Sequence, residues 1–195
     1  HPAPLFAEGI LAVSFLAQDR HEESERRLRD VLAAIRHIKG KDHPHTVGSM
    51  IHLAYCLRNQ DKHDEAEGLF LEVLGMTKPE WGANNSLPRY AREGLATIHV
   101  RRGADLPEER CDEARVEYNK AIELDPLNAK AYNNRGVTWE ISGQCAKAIL
   151  DYERAIALKS DYGDAYYNMG NAYGKLGKPA DAVAAFKKAI AINPN

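Results

Sequence analysis

The 195-residue chain carries 26 basic and 28 acidic side chains, a formal net charge of −2, and 28% of its residues are charged. That near-neutral balance gives no electrostatic drive toward nucleic acid or an anionic membrane surface, and no apolar run of about 18 or more residues is present to span a bilayer. Cys56, Cys111 and Cys145 are an odd set without metal-ligand spacing, which points to reduced thiols and a cytoplasmic setting.

The apolar start, Leu5 to Leu16, is interrupted by Glu8 and has no basic segment before it, so it reads as a helix and not as a signal peptide. The chain opens on His1 and stops at Pro194-Asn195, as expected of a fragment or a processed product. A first helical pair is predicted over 4–17 and 22–38, with Gly40 as its stop. Asp42-His43-Pro44-His45-Thr46 turns the chain into a second pair over 46–59 and 63–77. Pro79, Gly82 and Asn84-Asn85-Ser86 break it again. The third pair is placed over 87–102 and 107–124, with Gly103-Ala104-Asp105 between the helices. Asp125-Pro126 and Ser160-Asp161 close the third and fourth units, and Gly143 and Gly177 make tight turns inside the last two. Pro179 falls in the first turn of the final helix, where a missing N–H does no harm.

The last third of the chain is nearly one sentence written twice. Ala131-Tyr132-Asn133-Asn134-Arg135-Gly136 returns as Ala165-Tyr166-Tyr167-Asn168-Met169-Gly170, 34 residues later (170 − 136). A fixed period in this range marks stacked repeats. Carried backwards, the register puts Ala12, Ala54, Ala96, Gly136 and Gly170 at one buried place in the first helix of each unit. Leu28, Phe70, Tyr118, Tyr152 and Phe186 share one place in the second helix, and Ser24, Ala66, Ala114, Ala148 and Ala182 another. Five helix-turn-helix units result, at 4–45, 46–86, 87–128, 129–162 and 163–195, forming a single array over 1–195. The first two carry eight extra residues in the connection to the next unit, and the third carries six inside its hairpin. Close approach is expected where side chains are small, Gly136 against Ala148 and Gly170 against Ala182. Tyr152 and Phe186 are expected to fill the space toward the neighbouring hairpin.

This pattern resembles the tetratricopeptide repeat (TPR) family over essentially the whole chain. Ala165 to Tyr173, then Gly177, Ala182, Phe186, Ala189 and Pro194, carry the signature most fully. Unit four departs from it at Arg135 and Trp139, where leucine and tyrosine are usual, and at Ser160 in place of proline. The 42-residue spacing of the first units, with Asp42-His43-Pro44-His45-Thr46 before Leu53-Ala54-Tyr55, is similar to the kinesin-light-chain type of repeat; the last two units resemble the 34-residue type. The resemblance implies an all-α, right-handed superhelical solenoid of helical hairpins whose concave groove binds peptides or proteins. It implies no reaction.

The residues themselves support no catalytic centre, cofactor or metal. His43 and His45 flank a loop proline, and His52 stands on the next helix without a cysteine or carboxylate at ligand spacing. Cys56 with His63 and Asp64 can be drawn as a nucleophile and helpers, but Cys56 falls where small buried residues are expected. Gly170 and Gly174 lie on a helix and not in a phosphate-cradling loop after a strand. Phe6, Gly9, Ile10, Val13 and Leu16 form an apolar face on the first helix, to be covered by a cap or used as a ligand pocket. Val183, Phe186 and Ile190 are expected to lie open on the final helix, so the array ends are candidates for homo-oligomer contacts.

The candidate binding residues are Asn134 and Asn168, which the repeat puts at equivalent points on successive first helices, with Asn171 one turn on. An asparagine offers a donor and an acceptor to match the amide and carbonyl of an extended peptide. The pair resembles the asparagine ladder of the O-linked N-acetylglucosamine transferase repeats, limited to two rungs because Gly94, His52 and Ile10 hold the earlier places. Tyr167, Glu140 and Lys175 are expected to supply sequence preference. A chaperone-type carboxylate clamp fits less well, since Glu93 and Asp164 stand where it needs basic residues. The expected function is a scaffold with protein or peptide partners. The alternatives are the targeting region of a larger enzyme such as a glycosyltransferase, and a self-assembling module.

Overall fold

The computed structural model describes Leu11, Ser14 and residues 20–76 and 86–194. Among the described residues there are nine α-helices, one short 3-10 turn and no strand. The helices are α1 (His21–Lys39), α2 (Pro44–Asn59), α3 (His63–Gly75), α4 (Leu87–Ala104), α5 (Cys111–Leu124), α6 (Ala129–Ile141), α7 (Cys145–Leu158), α8 (Gly163–Lys175) and α9 (Pro179–Ile192). The expected helix over 4–17, with its apolar face at Phe6, Gly9, Ile10, Val13 and Leu16 and its packing residue Ala12, lies outside the described residues, as does the breaker from Pro79 to Asn85.

Local chemistry sets the helix ends. In α1, Glu22 and Glu23 occupy the first turn while Arg36, His37 and Lys39 occupy the last, each sign matched to the helix dipole. Gly40 then adopts φ +85°, ending the helix. The His43 ring caps α2, its Nδ1 accepting from the His45 N–H at 3.2 Å, and Pro44 follows in the first turn. Asn128 caps α6 through Oδ1, which accepts from the Ala131 N–H at 3.0 Å. The hairpin turns share one device. Asp61, Gly143 and Gly177, each seven residues past Ala54, Gly136 and Gly170, have φ of +57°, +73° and +70°. Only the aspartate carries a side chain in that left-handed conformation, which is unfavourable for it by about 1–2 kcal/mol.

The chain divides into two compact units, His1–Ile98 and His99–Asn195. In the first, Leu28 of α1, Met50, Leu53 and Leu57 of α2, and Phe70 and Val73 of α3 are all but inaccessible, and Ala54 and Ala66 sit among them. In the second, Tyr152, Ala148, Ile149 and Cys145 of α7 pack with Ala172 of α8, and Val137, Trp139, Met169 and Tyr173 close over them. Ala54, Ala96, Gly136 and Gly170 are buried as the register requires.

Two expectations about packing are corrected. The nearest side chains to Gly136 and Gly170 are the rings of Tyr152 and Phe186. A Cβ at either glycine would come within 2.6 Å of the ring. The ring therefore fills space inside its own hairpin, because only a bare backbone admits an aromatic at that distance. Phe186 is accordingly half-buried instead of open on the final helix, whereas Val183 and Ile190 are 52% and 63% exposed. In the third hairpin Gly103 is not a turn residue. α4 runs on to Ala104, and the Tyr118 ring rests on Gly103, where a Cβ would meet it at 2.7 Å. The six-residue insertion thus lengthens the first helix and moves the ring-on-glycine contact from Ala96 to Gly103, with a 3-10 turn, Glu108–Arg110, leading into α5.

Candidate functional site

The sequence-predicted residues fall on α6 and α8, the first helices of the last two hairpins. Asn134, Asn168, Asn171 and Glu140 are half-buried, and Tyr167 and Lys175 are exposed. The asparagines are joined through a residue that the sequence reading missed. Asn168 Nδ2 donates to Asn133 Oδ1 at 3.2 Å, and Asn133 Nδ2 donates to Asn134 Oδ1 at 3.3 Å. Asn133 is only 6% exposed, so the chain of amides has a buried middle and two accessible ends. Each end keeps unspent hydrogen-bonding capacity, since a carboxamide offers two N–H donors and two acceptor lone pairs. The Asn133-Asn134 doublet was the signal available. The repeat register drew attention to one asparagine and passed over its neighbour, because Tyr167 stands at the matching place in the last unit.

Glu140 and Lys175 are brought together. Lys175 Nζ lies 2.8 Å from Glu140 Oε1, and the Tyr152 hydroxyl donates to Glu140 Oε2 at 2.9 Å. Burial pushes the Tyr152 hydroxyl far up its titration range and the neighbouring carboxylate adds to this, so the phenol is held as a donor. The bond to Glu140 likewise raises the Lys175 ammonium above its ordinary value. Tyr167 leans on Phe186 with ring centroids 5.6 Å apart, which fixes an exposed aromatic face beside the asparagines.

The departures from the repeat signature have structural causes. Arg135 makes a two-pronged bond to Asp151, Nε to Oδ2 at 2.8 Å and Nη2 to Oδ1 at 2.7 Å, and Nη1 donates to Asn119 Oδ1 at 2.7 Å. One guanidinium thereby ties α5, α6 and α7. Trp139 lies between Arg115, whose guanidinium carbon is 4.3 Å from the ring centroid, and Lys147, whose Nζ is 4.6 Å away. Arg115 itself is buried and donates to the Thr138 carbonyl at 3.1 Å. These groups hold α6 in place and leave its asparagine edge free.

The other constellations are structural in the places seen. His43 and His45 stack at 5.2 Å around the start of α2. The buried Cys56 thiol donates to the His21 carbonyl at 3.2 Å, and burial raises its titration point, away from nucleophilic character. His63 faces Asp61 at 3.6 Å instead of Cys56. All three cysteines are unpaired and buried. No described helix is long and apolar enough to cross a membrane.

Tetratricopeptide repeat profiles match residues 6–78 and 163–195, and a TPR repeat profile matches 108–139 and 141–177. No curated protein sequence matches the chain. Among solved structures, a crystal structure of MamA is 22% identical with a TM-score of 0.61, covering 93% of each chain. A MamA RS-1 ArsTM double mutant is 17% identical with a TM-score of 0.65, covering 97% of this chain and 94% of its own. The first TPR of Spaghetti (RPAP3), bound to the HSP90 peptide SRMEEVD, is 27% identical with a TM-score of 0.51, covering 53% of this chain and 82% of its own. Paired helices, rings seated on helix glycines and profile matches along most of the sequence agree that this chain belongs to the tetratricopeptide repeat family.

Proposed function

We propose that this chain is a non-catalytic protein-interaction scaffold that holds extended peptide segments along the asparagine edge of α6 and α8. The observation that carries the reading is the amide chain Asn168–Asn133–Asn134, which presents preset donors and acceptors at a repeat spacing on successive first helices. A preset polar row binds a peptide backbone with little ordering cost, and backbone contacts select weakly for sequence. Tyr167 offers an aromatic face, and the Glu140–Lys175 pair offers one charge of each sign, from which preference for particular side chains arises. The likeness to a repeat domain solved with a bound peptide supports the reading.

The test begins with partners captured by the 195-residue chain from a lysate, followed by calorimetry on one purified partner. Asn134→Ala combined with Asn168→Ala weakens binding by about 1–3 kcal/mol while the thermal melt stays two-state and helical. A partner bound equally by the parent and the double variant removes this edge as the site. Exposed Val183 and Ile190 on α9 favour a second reading, self-association through that helix.

A further inference from the structure

We infer that the cleft between α1 and α3 is a binding site for a small amphiphile, an apolar chain or ring body that carries one anionic head. The site lies wholly within the first compact unit and does not depend on the peptide-binding reading above. The cleft has a volume of about 770 Å³. Its floor is leucine: Leu32 of α1 and Leu53 and Leu57 of α2 are buried, and Leu69 of α3 stands at its side. Concave sites of this size, apolar with a few polar groups, are the usual seat of small ligands. The space is kept open on the α3 side by Gly68. Glycine inside a helix is less favourable than alanine, yet a Cβ at Gly68 would meet nothing within 4 Å. Gly94 and Gly103, by contrast, each seat an aromatic ring. The register measures what is missing: two residues before the ring of the second helix stand Val116 and Leu150 in the third and fourth hairpins, and Gly68 in the second. The fold thus has no need of a glycine here, and what the glycine does is hold the cleft open.

Two ion pairs that cross from α1 to α3 frame the apolar floor. Arg29 meets Glu65 at 2.7 Å, and Arg36 meets Glu72 at 2.5 Å. The pairs are seven residues apart on each helix (36 − 29 and 72 − 65), about 10 Å along the axis. A helix or extended segment of a partner would have to ride over both pairs or break them, whereas a short molecule fits between them. The two ends differ in charge. Arg29 is also bonded to Glu25 at 2.9 Å, so two carboxylates answer it. Arg36 has one carboxylate, and its other bond runs to Met50 Sδ at 4.0 Å. Both leave from Nη2, so Nε and Nη1 are unspent among the described residues. His37, which lines the same cleft, is exposed and has no partner among the described residues. An anionic head is therefore drawn to the Arg36 end, where free N–H donors meet it, and the apolar body lies over the leucines toward Arg29.

Calorimetry on the full chain tests the site with octanoate, and with octanol as the uncharged molecule of the same chain length. Octanoate is expected to bind saturably and about tenfold more tightly than octanol, the margin of a charge-assisted hydrogen bond. Gly68→Leu supplies the side chain that Leu150 provides in the fourth hairpin. It is expected to melt no lower than the parent and to weaken both molecules by about tenfold or more, since their methylenes lose a buried seat. Ala33→Leu closes the cleft from α1 and must show the same loss, so the site stays open to contradiction even where Gly68→Leu does not fold. Arg36→Gln with His37→Gln is expected to bring octanoate down to the affinity of octanol and to leave octanol where it was. Octanoate that fails to saturate the parent, or that binds Gly68→Leu or Ala33→Leu as it binds the parent, overturns the site. Equal affinity of the parent for the two molecules overturns the anionic head, as does a preference that survives Arg36→Gln with His37→Gln. A protein captured by the parent and released by Gly68→Leu, with octanoate unable to displace it, would give the cleft to a protein partner and overturn the small-ligand assignment.

Discussion

At the scale of single residues, the fourth and fifth hairpins show two answers to one packing problem. Arg135 and Asp151 face each other where the fifth hairpin has Met169 and Ala185, each 34 residues on. Asp151 is 6% exposed, so removing its partner strands a buried charge. Arg135→Met is expected to destabilise the protein by about 3–5 kcal/mol, whereas Arg135→Met with Asp151→Ala recovers most of the loss, because an apolar pair replaces an ionic one without an uncompensated charge. Urea melts of the two variants check this; a double variant as unstable as the single one would show that the pair has no such coupling. The sequence marked Arg135 as a departure from the signature but could not name Asp151, since a partner 16 residues away on the next helix is fixed by packing and not by period. Asp61 is similar: the register locates it at the turn glycine's place, but its residue type hides the left-handed conformation that it adopts.

At the scale of elements, helix identity was legible because each first helix carries a small residue at one place and each second helix a leucine or an aromatic ring at another. What lay beyond reach was which small residue each ring meets. Spacing says that Gly136 and Tyr152 recur together as Gly170 and Phe186, but only coordinates show the ring seated on the glycine and, after a six-residue insertion, on Gly103 in place of Ala96. A direct check lies within α8. Gly170→Ala forces a methyl toward the Phe186 ring and is expected to lower stability by about 1–3 kcal/mol. Gly174→Ala, one turn along with nothing near the new methyl, is expected to leave stability unchanged or to raise it by up to about 1 kcal/mol. Thermal melts that rank the two variants the other way contradict the packing described here.

At the scale of the whole molecule, the repeat family was readable along nearly the full sequence, because stacked repeats write their architecture as a period. The candidate site was only half readable. Asn134 and Asn168 came from the register, but the link through Asn133 depends on helices meeting in space. Val183 and Ile190 are expected to draw copies together, so Val183→Lys with Ile190→Lys should reduce any mass increase seen by light scattering as concentration rises. A parent that remains monomeric throughout would remove α9 as a contact surface. The claim on which the account turns is that the asparagine edge holds a peptide backbone. Its most direct test is the side-chain amide region of a nitrogen–proton correlation spectrum, recorded while a peptide selected from a random display library is added to the parent chain. The account predicts saturable shifts of the Asn134, Asn168 and Asn171 amides, with Asn119 on α5 unmoved. Saturation of binding with those three amides unmoved would contradict it.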